Sequence, residues 1–295
     1  MTPDDATIAP ARLTLEVYTT PGRPFASAAR PEGPGDVPTW SPSSATLIYG
    51  ERDAVLVDVP PAFAQVDALA DWVESRGRRL THVYITHGHG DHWLGLARMI
   101  ARFPGATGLA TAEVLARAEF ETTPAMAAYW EGVFPGEVPT GADRLLPRLL
   151  PDDTIDLEGN ELRVIRIGQA DTAESTVLHV PSLAAVVTGD LAYNDVHMMT
   201  AETGDAERAR WIANLDEVAA LGPAVVVAGH KKAGNGDDPK IIAASQQYLR
   251  DFSRIAAEET AAPAIVARMT GLYPGWGNPR TLWHSSRSAI ARTGG

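Results

Sequence analysis

Three histidines and one aspartate fall within six residues of each other in the run Tyr84-Ile85-Thr86-His87-Gly88-His89-Gly90-Asp91-His92-Trp93. The apolar residues before His87 predict a strand. The two interleaved glycines predict a backbone able to turn tightly enough for all four side chains to converge. A single histidine ending a strand would read as structural, whereas four donors packed this closely read as a metal site. Imidazole and carboxylate are what a first-row divalent metal takes when thiolate is lacking. The chain contains no cysteine, so disulfides and thiolate sites are excluded and any metal must be held by His, carboxylate or amide groups.

The elements that must position these donors can be read from the apolar pattern. Ala45 to Tyr49 and Ala54 to Val59 flank Gly50-Glu51-Arg52-Asp53 as a hairpin. Phe63, Val66, Leu69, Ala70 and Val73 recur at helical spacing until Gly77, and His82 to Thr86 is the next strand. Helices are expected at Leu94 to Phe103 and Ala112 to Trp130, with a strand at Gly105 to Ala110 between them and a Pro- and Gly-rich break from Val133 to Pro151. A second group of strands follows at Thr154 to Leu157, Leu162 to Ile167, Thr176 to Val180 and Ala184 to Thr188. After these come a helix at Glu207 to Leu221, a buried strand at Ala224 to Ala228 and a long helix at Pro239 to Glu259. Two such halves predict an α/β fold, an αββα sandwich with two mixed sheets face to face and helices outside. The expected division is an N-terminal strand and loop arm over 1–43, the main domain over 44–260, and a C-terminal extension over 261–295 packing on it.

Composition narrows the function. With 45% hydrophobic residues the chain can bury a core. No run of eighteen uncharged apolar residues occurs and Met1 to Leu15 has no secretory pattern, so a cytoplasmic protein with no membrane partner is expected. A formal charge of −12 argues against nucleic acid, which needs clustered Lys and Arg. The charge is uneven: no acid follows Glu259, while Arg268, Arg280, Arg287 and Arg292 do. The expected partner is a small-molecule substrate, and a homodimer is compatible with the sequence.

The run at residues 87–92 resembles the H-x-H-x-D-H signature of the metallo-β-lactamase superfamily, and the resemblance extends over roughly residues 45–230. It implies that His87 and His89 serve a first metal and Asp91, His92 and His230 a second. Asp190, after Val186-Val187-Thr188-Gly189, would bridge them. Where relatives carry Gly-His-Thr or Gly-His-Ser, this chain has Gly168-Gln169-Ala170-Asp171-Thr172, and Gln169 is placed at the histidine position. An amide oxygen is a weaker donor than imidazole, so the first site is expected to be weakened, and one or two zinc ions are expected per chain. Asp171 either assists through water or caps the turn.

The resemblance further implies a zinc hydrolase in which a metal-bound hydroxide attacks a lactone, ester, thioester or β-lactam, with Asp91 moving a proton. Tyr193, three residues after Asp190, matches the spacing at which lactonases of the superfamily hydrogen-bond the substrate carbonyl, which favours lactones and esters; it could equally pack on a helix. Asp58 is a candidate acceptor behind a ligand imidazole or a cap. His197 is expected at the pocket rim, and Trp40, Phe25 and Trp276 over the cleft or in an interface. His179 reads as a core or surface residue. The alternative of another class is a non-haem iron oxidoreductase of the same fold, resembling persulfide dioxygenases.

Overall fold

The computed structural model describes residues 10–24 and 39–293. Its strands in chain order are β1 (Thr14–Thr19), β2 (Arg23–Pro24), β3 (Thr39–Trp40), β4 (Ser44–Tyr49), β5 (Asp53–Val57), β6 (Arg79–Tyr84), β7 (Thr107–Ala110), β8 (Arg148–Leu149), β9 (Thr154–Leu157), β10 (Asn160–Gly168), β11 (Ser175–Val180), β12 (Ala185–Val187), β13 (Tyr193–Asn194), β14 (Val225–Val227) and β15 (His230–Lys231). One sheet has the order β1-β4-β5-β6-β7-β8 and the other β14-β12-β11-β10-β9. The helices are α1 (Phe63–Glu74), α2 (Leu96–Arg102), α3 (Ala112–Phe120), α4 (Pro124–Val133), α5 (Asp205–Ala220), α6 (Lys240–Glu258), α7 (Ala262–Leu272) and α8 (Pro279–Thr293).

The period of two along the strands builds the layers. In β5, Val55 and Val57 enter a core between the sheets with Leu178, Val180 and Leu162, while Ala54 and Leu56 face the core under α1 and α2. In the second sheet Ala185, Val187 and Val227 point inward. Val177, Val186 and Val226 point outward to α5, α6, α7 and α8. The αββα sandwich read from the sequence is therefore the fold.

One local reading changes. The helix expected over Ala112 to Trp130 is two helices, because Pro124 lacks an N–H and holds Thr123 at ψ 153°, outside the helical region. Part of the N-terminal arm is an edge strand, β1 pairing antiparallel with β4. The C-terminal extension forms α7 and α8, whose Ile265, Met269, Leu282 and Ala289 share the core of α5 and α6. No helix among the described residues is long and apolar enough to cross a membrane. Phe25 lies outside the described residues.

Candidate metal centre

The H-x-H-x-D-H segment follows the end of β6, with only Ile85 and Thr86 between. Neither Gly88 nor Gly90 has positive φ, and what demands glycine at both is close approach. A Cβ on Gly88 would lie 2.5 Å from the Arg117 side chain, and one on Gly90 2.6 Å from the Trp130 ring. Helices α3 and α4 thus clamp the loop. On the other side the Thr86 carbonyl accepts from the Thr176 amide at 3.0 Å, tying the loop to β11.

Each imidazole is anchored through one nitrogen, which leaves the other for the centre. His92 Nδ1 lies 2.8 Å from Asp58 Oδ2, His230 Nδ1 2.8 Å from the Pro42 carbonyl, and His87 Nδ1 3.1 Å from Thr86 Oγ1. Because those partners accept, the proton belongs on Nδ1 and the Nε2 lone pair faces inward. His89 is turned the other way, with Nε2 3.1 Å from Glu202 Oε1 and Nδ1 inward, 2.8 Å from Asp171 Oδ2. Asp58 also accepts from the Thr86 amide and hydroxyl, each at 2.8 Å, so it supports a ligand imidazole as well as its own loop.

Three groups result, each with donor atoms within 4.8 Å of one another: His87, His89 and Asp171; His87, His92 and Asp190; Asp91, His92 and His230. Asp190 groups with His87 as well as His92, with Oδ1 3.3 Å from His92 Nε2 and Oδ2 3.3 Å from His230 Nε2. Buried His87 Nε2, His92 Nε2, Asp190 Oδ1 and both Asp171 oxygens have no hydrogen-bond partner. The 2.8 Å contact of His89 with Asp171 is close but not aligned as a hydrogen bond. Polar atoms this deeply buried normally find partners, and converging imidazole and carboxylate groups left without them are a donor set that fits a divalent cation.

The place given to Gln169 is corrected. Its amide donates to the Ala170 carbonyl at 2.9 Å, and the carboxylate beside His87 and His89 is that of Asp171, fully buried. The turn-cap reading of Asp171 falls with it. The signal was present: the threonine of the Gly-His-Thr pattern is Thr172, and matching on it rather than on Gly168 assigns Asp171. Tyr193 is also corrected. It is 2% exposed, donates its hydroxyl proton to Asp190 Oδ2 at 2.6 Å and stacks on His230, so it orients Asp190 instead of meeting substrate. His197 is not at a rim: it is buried, 3.1 Å from the Tyr248 hydroxyl, in an aromatic cluster where Trp276 stacks on Tyr248. Trp40 packs on Trp130 at 5.1 Å, beside the loop. His179 is half-buried on β11, near no metal group.

The charges alternate. Burial disfavours a charged imidazole, yet Asp190 and Asp91 push His230 up to about 10, and Asp171 and Glu202 hold His89 well above the usual range. Burial and the charge of His92 hold His87 well below it. Burial pushes Asp171 up to about 6 against the pull of His89. Asp91, at 12% side-chain exposure against 0% for Asp171 and 4% for Asp190, is the carboxylate open to water. A cleft of about 740 Å³ opens beside His89, with Glu202, Arg117, Phe120 and Gln169 in its wall.

The family model of the metallo-beta-lactamase superfamily matches residues 38–230. A hydroxyacylglutathione hydrolase of Acidiphilium cryptum (strain JF-5) is 30% identical over 199 residues, 66% of this chain and 67% of that protein. A metallo-beta-lactamase type 2 of Bacteroides fragilis is 25% identical over 265 residues, 88% and 90% of the two chains. Among solved structures, a metallo-beta-lactamase family protein from Thermus thermophilus superposes with a TM-score of 0.63 at 17% identity, covering 94% of each chain. A metallo-beta-lactamase from Pontibacter korlensis gives 0.58 at 18%, covering 81% of this chain and 99% of that one. With this fold and these converging donors, the chain belongs to the metallo-beta-lactamase superfamily and is a metallohydrolase.

Proposed function

We propose that the chain is a zinc-dependent hydrolase of ester-like bonds, with thioesters and simple esters ahead of lactones and β-lactams. The observation that carries the reading is the set of four imidazoles, each anchored through one nitrogen, facing the carboxylates of Asp91, Asp171 and Asp190. Divalent ions held by His87, His89 and Asp171 on one side, Asp91, His92 and His230 on the other, and Asp190 between would supply a water acidic enough to attack at neutral pH and would polarise a carbonyl. Asp91, the least buried of the three carboxylates, accepts the proton of the attacking water and returns it to the leaving group. Asp58 and Tyr193 keep His92 and Asp190 in register. The preference for lactones rested on Tyr193 and loses its support, since that proton is spent on Asp190. The thioester preference is supported by the hydroxyacylglutathione hydrolase relative.

One observation favours a second reading. His87, His89 and Asp171 are two histidines and one carboxylate, the donor set of non-haem iron oxygenases. The test is the metal of freshly purified protein, followed by turnover of S-lactoylglutathione, 4-nitrophenyl acetate, a lactone and a cephalosporin by zinc- and iron-loaded samples. Hydrolysis by the zinc form supports the proposal. Iron with oxygen uptake on a persulfide and no hydrolysis overturns it.

A further inference from the structure

The metal centre leaves the acid-free C-terminal stretch unexplained. Two of its arginines are taken up by packing within the body: Arg268 pairs with Glu258 and Glu259, and Arg292 donates to the carbonyls of Ala201 and Thr203. Arg280, in the first turn of α8, instead reaches across 151 residues of sequence to Tyr129 on α4. Its Nη2 donates to the phenolic oxygen at 2.8 Å, and its guanidinium lies over the Trp40 ring at 4.7 Å.

These contacts adjoin the loop that carries Asp91, whose charge is felt at Tyr129. Trp40 packs on Trp130, and Trp130 presses on Gly90, the residue before Asp91. Tyr129 precedes Trp130 on α4, with the two rings edge to face at 5.4 Å. Tyr129 is 39% exposed. Since Arg280 donates into its oxygen, the phenol proton is left to point elsewhere, and no described residue accepts it. Partial burial, with the charges of Asp91 and Glu121, raises its pKa against the effect of Arg280, and a phenol keeps its proton at neutral pH in any case. Tyr193 cannot offer such a donor, being buried with its proton on Asp190.

We infer that Tyr129 is a catalytic residue that donates its O–H to the carbonyl oxygen of the substrate as negative charge develops there, and that Arg280 is its positioning residue. This rests on the hydrolase reading, and it gives α8, which lies beyond the matched residues 38–230, a part in the active site. A preorganised donor aimed at a developing oxyanion gains strength from being held in place before reaction.

The test compares zinc-loaded wild type with Tyr129→Phe, Arg280→Met and Arg280→Lys. Loss of one such donor lowers kcat by about 10²-fold, so Tyr129→Phe should lose about that much on 4-nitrophenyl acetate and S-lactoylglutathione, with KM and zinc content unchanged. Arg280→Met should lose part of it and Arg280→Lys less. A kcat for Tyr129→Phe within twofold of wild type overturns the inference. A second readout needs no turnover: phenylphosphonate, a tetrahedral anion, should bind Tyr129→Phe at least fivefold more weakly than wild type, and equal affinity overturns the inference. If the wild type hydrolyses nothing, the hydrolase reading fails on its own, and the phosphonate comparison still decides the role of Tyr129 as an anion donor.

Discussion

Replacing Asp58 by Asn tests whether the residues behind the ligands do the work assigned to them. The substitution preserves volume, and Asn tolerates the left-handed backbone found here, φ 62°. The change therefore falls on hydrogen bonding. Asp58 meets three donors at 2.8 Å each: His92 Nδ1, the Thr86 amide and the Thr86 hydroxyl. An amide offers one acceptor oxygen in place of two. With that oxygen kept on the Thr86 amide, its NH₂ faces His92 Nδ1, and a clash of donors is relieved only if the His92 proton moves to Nε2, the atom facing Asp190. That tautomer cannot ligate through Nε2. Loss of such a supporting partner costs about 10- to 100-fold in metal affinity, or about 1.4–2.8 kcal/mol. Competition with a chromophoric chelator measures it. Zinc affinity of the Asp91, His92 and His230 side within twofold of wild type would refute the reasoning.

Asp171→Ala should lower the zinc stoichiometry from two to one while Gln169→Ala leaves it at two, as read by metal analysis after gel filtration; the reverse pattern would restore the amide to the site. Tyr193→Phe keeps the ring on His230 but removes the donor to Asp190, a bond to a charged group worth about 1.5–3 kcal/mol. Its zinc affinity should fall, whereas a raised KM with unchanged zinc affinity would return Tyr193 to the substrate. With no metal bound, Asp190 and Asp91 hold the His230 imidazole up at about 10 against burial, above its ordinary 6.5. The stability it contributes is complete below about pH 6.5 and is lost as pH rises through about 10. The melting temperature of chelated protein should therefore fall between pH 7 and 10, and one constant across that window would contradict the ion pairs of His230.

The sandwich was legible because strands such as β5 and β11 carry apolar residues on both faces and separate into alternating registers, and because helices such as α1 repeat at their own period. The donors of the H-x-H-x-D-H run are adjacent in sequence, so their convergence could be read directly. Asp171 was misread because Gly168 also fits the start of the ligand pattern, and only the following Thr172 fixes the register. Sequence spacing alone placed Tyr193 beside Asp190, but not the direction of its hydroxyl. That direction is set when β13 pairs with β15, bringing Tyr193 opposite His230. The contact of Arg280 with Tyr129 joins residues 151 apart through two helices, and no local pattern encodes it.

The central claim, that one carboxylate is shared between two metal positions, is tested most directly by anomalous diffraction at the zinc edge from crystals of zinc-loaded protein. The account predicts two peaks about 3.5–4 Å apart flanking Asp190, one against His87, His89 and Asp171 and the other against Asp91, His92 and His230. A single peak, or two that do not share Asp190, would contradict it.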